Sequence, residues 1–181
     1  VLTHIAVAEI PGMNRLMLFS DAAVIPFPTT EQLDAVMTYI TKTWRSLTGG
    51  TCPRVALTHC TEKTSEKFPC TICYGQIKEW ASQGRYGDVD IQGPMDVKTA
   101  IDAESAAIKG LQGSVAGDAD IMIMPDIEAG NTFYKTITLL ANAQVAGWLA
   151  GTTAPVVVAS RADSEESKYF SLAMAAMTSI R

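Results

Sequence analysis

The unbroken apolar run Ile121-Met122-Ile123-Met124, with acidic residues on either side at Asp120 and Asp126, constrains this chain more than any other feature. A strand with one wet face alternates apolar and polar side chains. A continuous apolar run therefore predicts a strand covered on both faces. Pro125 and the polar cluster Asp126, Glu128, Gly130 and Asn131 follow, where the strand gives way to a helix. In open α/β sheets that carboxyl end is where ligands bind. Gly130 permits close backbone approach and the helix start offers free N–H groups, so the residue types suit an anion. Lys135, one turn further on, can supply a point charge. Taken alone, Asp126 and Glu128 read more simply as turn and cap residues.

The rest of the chain alternates strand and helix signals. THIAVAEI (3–10) and RLMLFS (15–20) predict strands joined by a turn at Pro11-Gly12. A helix is predicted from Thr30, with Thr29 and Gln32 at capping-box spacing and Gly49-Gly50 ending it. Its apolar positions Leu33, Val36, Met37, Ile40, Trp44 and Leu47 fall on one face. Further elements are a strand at 54–58, a helix at 71–83, a short strand at 88–93 and a helix at 99–109. After the strand at 120–124 a helix is expected from Asn131 to Leu149. It is apolar nearly all round (Phe133, Ile137, Leu139, Leu140, Val145, Trp148), hence buried or at an interface. PVVVAS (155–160) predicts a last strand and 164–180 a last helix. Repeated strand–helix units imply an α/β fold: three α/β/α layers around a mainly parallel sheet.

Composition narrows the function classes. A net charge of −5, with 14 basic residues scattered along the chain, argues against a nucleic-acid partner. No apolar run approaches the roughly 20 residues that span a bilayer, so no membrane partner and a cytoplasmic, soluble protein are expected. The chain opens on Val1 within a strand signal, which suggests a trimmed or incomplete protein. Cys52, Cys60, Cys70 and Cys73 lie close together with His59 among them, yet only Cys70/Cys73 has the spacing of a metal or redox pair. Reduced structural cysteines and no metal site are the expectation.

A second strand-to-helix junction, Ser160-Arg161-Ala162-Asp163, carries chemistry of its own. Arg161 can hold a phosphate in a bidentate way. Ser160 can donate to a developing oxyanion, and Asp163 can accept a proton. From spacing alone the simpler reading is that Ser160 or Asp163 caps the last helix and Arg161 makes a surface ion pair. At Gly93-Pro94-Met95-Asp96 a tight turn is expected, fixed by Asp96. The only histidines, His4 and His59, lie in or beside strands and read as satisfied structural residues. There is no credible Ser/His/Asp set and no nucleotide-binding glycine loop.

Taken in order, QGPMDVKTAID, SVAGDADIMIMPDIEAGN followed by YK, and PVVVASRADS resemble the phosphate acetyl/butyryltransferases over nearly the whole chain. Glu128 and the SRADS form are closer to the butyryl branch; the acetyl branch usually reads PDLNAGN and SRG. The resemblance implies a reversible reaction, acyl-CoA plus phosphate giving acyl phosphate plus CoA, with coenzyme A as co-substrate and no cofactor. It implies a fold like that of isocitrate and isopropylmalate dehydrogenases, with the site between two α/β domains. Residues 1–150 would then be the second, central domain. Residues 151–181 would be a strand and helix returning to a first domain whose N-terminal part is missing here. Direct attack without an acyl-enzyme is implied, with Arg161 on the phosphoryl oxygens and Ser160 on the oxyanion. The acetyl branch places an aspartate six residues after this arginine, where this chain has Ser167; Asp163 is the substitute base. Asp126, Glu128, Gly130, Asn131 and Lys135 are the expected substrate contacts, and a homo-oligomer is expected. The alternatives are an acetyl-specific enzyme, a non-catalytic acyl-CoA-sensing domain, and a metal-dependent dehydrogenase of the same fold.

Overall fold

The structure, a computed structural model, describes residues 1–179. Its strands are β1 (Thr3–Glu9), β2 (Leu16–Ser20), β3 (Arg54–Thr58), β4 (Asp90–Met95), β5 (Ile121–Ile123) and β6 (Gln144–Ala150). Its helices are α1 (Thr30–Thr48), α2 (Pro69–Ser82), α3 (Val97–Ile101), α4 (Ala103–Ile108), α5 (Ile127–Leu140) and α6 (Glu165–Ser179). One six-stranded sheet runs in the order β4-β3-β5-β2-β1-β6. Pairing is parallel from β4 across to β2 and antiparallel where β1 meets β2 and β6.

The central run behaves as its composition predicts. Ile121, Met122 and Ile123 are fully buried, and alternate side chains enter different cores. Ile121 and Ile123 join Ile5, Leu18, Val55 and Leu57 beneath Leu33, Met37 and Ile40 of α1. Met122 joins Ala6, Met17, Phe19 and Ala56 on the other face, beneath Ala100 of α3 and Ile137 of α5. The sheet is thus covered on both sides, as an α/β/α arrangement requires.

Helix α1 starts where expected: Thr29 and Gln32 make both bonds of a capping box, and Gly49 closes it in the left-handed region. Four expectations fail. The long helix 131–149 is instead α5 followed by β6, with Ala141–Ala143 turning between them. Trp148 and Val145 are buried by sheet pairing, so the apolar residues expected to encircle one helix belong to two elements. Leu139 and Leu140, at the end of α5, are exposed. PVVVAS is not a strand; among the described residues its only pairing is one bridge between Val156 and Leu149. Gly93 and Pro94 lie inside β4 rather than in a turn. The helix at 99–109 divides into α3 and α4, because Asp102 leaves helical geometry to cap the second piece through the Ser105 amide. Asp96 likewise caps α3 through the Thr99 amide. The end of the last predicted helix, Ile180, lies outside the described residues.

Candidate active site

The direction of each strand decides which residues meet. Because β2 runs parallel to β5, its end at Ser20 lies beside the end of β5. Because β1 runs antiparallel to both β2 and β6, its start at Thr3-His4 comes to the same rim, beside the end of β6. Here a pocket of about 220 Å³ opens. Ala22 and Ala23 after β2, Asn131, Tyr134 and Lys135 of α5, His4, Gly147 of β6, Ser171 of α6, and Val158, Ala159, Ser160 and Asp163 from the crossing segment line it.

Of the residues singled out in the sequence, Asn131, Lys135, Ser160 and Asp163 share this pocket, whereas Asp126, Glu128, Gly130 and Arg161 do not line it. Asp126 caps α5, accepting from the Ala129 amide at 2.7 Å. Glu128 is exposed in the first turn of α5. Gly130 packs against the chain after β2, where a Cβ would collide with the Asp21 carbonyl oxygen. That closeness lets Asn131 Nδ2 donate to the Ala22 carbonyl at 3.1 Å, tying the first turn of α5 to the loop beside the pocket. Arg161 is exposed and forms no ion pair among the described residues.

Asp163 organises the crossing segment. Its Oδ2 accepts from the Ser160 amide at 2.8 Å and its Oδ1 from the Tyr134 hydroxyl at 2.9 Å. Lys135 Nζ stands 3.9 Å from Oδ1 and 4.3 Å from the Tyr134 ring centre. Burial, then the bond to Asp163, push the Tyr134 phenol well above its ordinary pKa, so it remains a donor. The cap of α6 is neither Ser160 nor Asp163: Ser164 accepts from the Ser167 amide at 3.1 Å. The pocket therefore presents the Lys135 ammonium, the Ser160 hydroxyl, the Asn131 side-chain amide and the His4 imidazole beside a carboxylate already held by two donors. Such a set can orient an anion and donate to a carbonyl oxygen.

Three neighbours escaped the sequence reading. Asp21 is buried and accepts from the Thr3 hydroxyl, the His4 amide and the amides of Ala23 and Val24. Tyr134 was visible as half of the YK pair but carried no sign of its partner. His4 reads from sequence as a satisfied structural residue, yet its Nδ1 is buried with no hydrogen-bond partner among the described residues. Its position opposite Leu149 depends on strand pairing that spacing does not reveal.

The model of the phosphate acetyl/butaryl transferase family matches residues 1–176. The chain belongs to this family. A phosphate acetyltransferase of Rhizobium meliloti is 35% identical over 180 residues, which cover 99% of this chain and 57% of the relative. A phosphate butyryltransferase of Clostridium acetobutylicum is also 35% identical, over 97% of this chain and 58% of its own length. The crystal structure of a branched-chain phosphotransacylase from Enterococcus faecalis superposes with a TM-score of 0.87 at 31% identity, over 98% of this chain and 65% of that one. The chain thus spans somewhat more than half the length of the family members it matches. Acetyl- and butyryl-named relatives match it equally well.

Proposed function

We propose that the protein moves a short acyl group, butyryl or similar, between coenzyme A and inorganic phosphate: acyl-CoA plus phosphate gives acyl phosphate plus CoA. The observation that carries this reading is the meeting of Ser160, Asn131 and Lys135 in one pocket of a chain from this family. Phosphate attacks the thioester carbonyl directly, and Ser160 donates to the oxyanion of the tetrahedral intermediate. Lys135 supplies positive charge, and Arg161, exposed and without an ion pair among the described residues, folds over the phosphoryl oxygens. Holding two substrates in line supplies much of the acceleration. Coenzyme A enters as a co-substrate and no cofactor is needed. Glu128 and the SRADS form favour the butyryl branch over acetyl. Residues 151–181 reach toward a first domain, and the protein works in the cytoplasm as a homo-oligomer. The exposed Leu139 and Leu140 support that last point.

The full-length protein is expected to release free thiol from butyryl-CoA only when phosphate is present. Release at the same rate without phosphate would overturn the proposal, and CoA binding without turnover would favour an acyl-CoA-sensing domain instead. Arg161→Gln is expected to raise the phosphate KM by roughly 10- to 100-fold, the worth of a charge-assisted contact. An unchanged KM removes Arg161 from the site.

A further inference from the structure

The reaction needs a proton carrier. Attack by coenzyme A on an acyl phosphate starts from a thiol whose pKa is about 8.5, so at neutral pH most of it is protonated. Asp163 is poorly placed to take that proton, because both its oxygens already accept hydrogen bonds, from the Ser160 amide and the Tyr134 hydroxyl. Accepting a proton would break at least one bond that holds the crossing segment. Ser167 offers no basic group near neutrality.

His4 differs in each respect. Its backbone amide is pinned to Asp21 Oδ2 at 2.9 Å, which fixes the start of β1. Its imidazole lies over Gly147, where a Cβ would collide with Nε2 and Cε1, so glycine leaves room for the ring in this position. That ring lines the same pocket as Ser160, Asn131 and Lys135. It makes no hydrogen bond among the described residues, and Nδ1 is buried and orphaned. A structural histidine 6% exposed would ordinarily have its ring nitrogens satisfied, since an unmet buried polar atom costs about 1–3 kcal/mol. A leucine there would bring no such cost.

We propose that His4 is the general base and acid of the acyl transfer, a role that rests on the reaction assigned above. In the direction of acyl-CoA synthesis, Nε2 of the imidazole takes the proton from the CoA sulfur as the sulfur attacks the acyl carbonyl, the buried Nδ1 carrying the other ring proton. The tetrahedral intermediate collapses with cleavage of the bond between the acyl carbon and the phosphate oxygen. The imidazolium then returns the proton to the departing phosphate, which leaves as hydrogen phosphate. In the opposite direction the same proton travels from hydrogen phosphate to the thiolate. No other reactant is required.

The surroundings suit this cycle. Burial holds the His4 pKa below its ordinary value, so the resting ring is neutral and basic at physiological pH. Asp21, after β2, and Asp163, on the crossing segment, favour the imidazolium once it forms, and Lys135 of α5 opposes it. The Tyr134 hydroxyl, in the same pocket, is committed to Asp163.

The test compares the wild-type full-length protein with His4→Gln in the acyl-phosphate-to-CoA direction between pH 6.5 and 9. Turnover of the variant at pH 7 should fall by about 100-fold or more, the usual worth of general acid–base catalysis. The gap should narrow toward pH 9, where the thiol ionises unaided. A gap constant with pH, or no gap, overturns the role of His4. If the variant does not fold, the imidazole resonances of the wild type decide. Coenzyme A should move the His4 titration and desulfo-coenzyme A should not; equal shifts or none overturn the assignment. A wild type with no phosphate-dependent transfer overturns the reaction itself, whereas an active wild type with a pH-independent deficit in the variant overturns only this proposal.

Discussion

The two ends of β5 carry similar residues and use them in opposite ways. At the amino end, Asp120 is 3% exposed and is held by Arg54 through its backbone amide, its Nε at 2.8 Å and a terminal nitrogen at 2.7 Å. Asp118 is shared between Arg54 and Arg15, the latter at 2.5 Å. Both arginines are committed to carboxylates there. At the carboxyl end, Lys135 and Arg161 are exposed, one at 3.9 Å from a carboxylate and the other without an ion pair among the described residues. The difference lies in saturation. Apart from Arg15 Nε, which is buried without a hydrogen-bond partner among the described residues, the amino-end groups satisfy one another as scaffold, while the charge left over at the carboxyl end can act on a ligand.

The strongest attack on this contrast is Arg54→Met. It leaves the Asp120 carboxylate buried with only the backbone amide and a distant Arg15, whose Nε is 3.9 Å away. Removing one partner of such a pair should lower unfolding stability by about 3 kcal/mol. The check is a shift of the urea midpoint at constant slope, with the phosphate KM of the folded protein unchanged. If that KM moves as well, the amino end is not a separate scaffold.

Gly130→Ala probes the junction between scaffold and site. The new Cβ would collide with the Asp21 carbonyl oxygen and crowd Ala22, so the first turn of α5 must retreat from the loop after β2. Overpacking of this kind costs about 1–3 kcal/mol, offset by up to about 1 kcal/mol of better helix propensity. A net loss near 1 kcal/mol is expected in a denaturation experiment. Turnover should fall further than stability does, because the Asn131 bond to Ala22 lines up one wall of the pocket.

Much of this architecture was legible before any coordinates. The buried run at 121–124, the capping box of α1 and the parallel strands follow from local pattern, and local pattern decides them. The failures share a cause. Trp148 and Val145 fit a helical period as well as a pleat, and only pairing with β1 selected the pleat. PVVVAS has strong strand residues, yet it lacks a neighbouring edge beyond one bridge and crosses the rim as coil. The site was legible as residue types, since Asn131, Lys135, Ser160 and Asp163 do meet. It was not legible as a constellation. His4 reaches it because an antiparallel strand starts where parallel ones end, and Asp126 does not line it because its own helix uses it as a cap.

The mildest change is the sharpest test of saturation as the deciding property. Tyr134→Phe deletes the hydroxyl that donates to Asp163 at 2.9 Å while keeping the ring tilted against Phe19. Asp163 keeps the Ser160 amide and lies within reach of Lys135, and its rim position lets water replace the lost donor. The expected loss is therefore only about 1 kcal/mol, the lower end for a bond to a charged acceptor. It should register as a fall in melting temperature of about 2–4 °C, well short of the effect of Arg54→Met. If Tyr134→Phe destabilises the fold as much as Arg54→Met, the carboxyl end is built as tightly as the amino end. The open charges of Lys135 and Arg161 would then need another explanation.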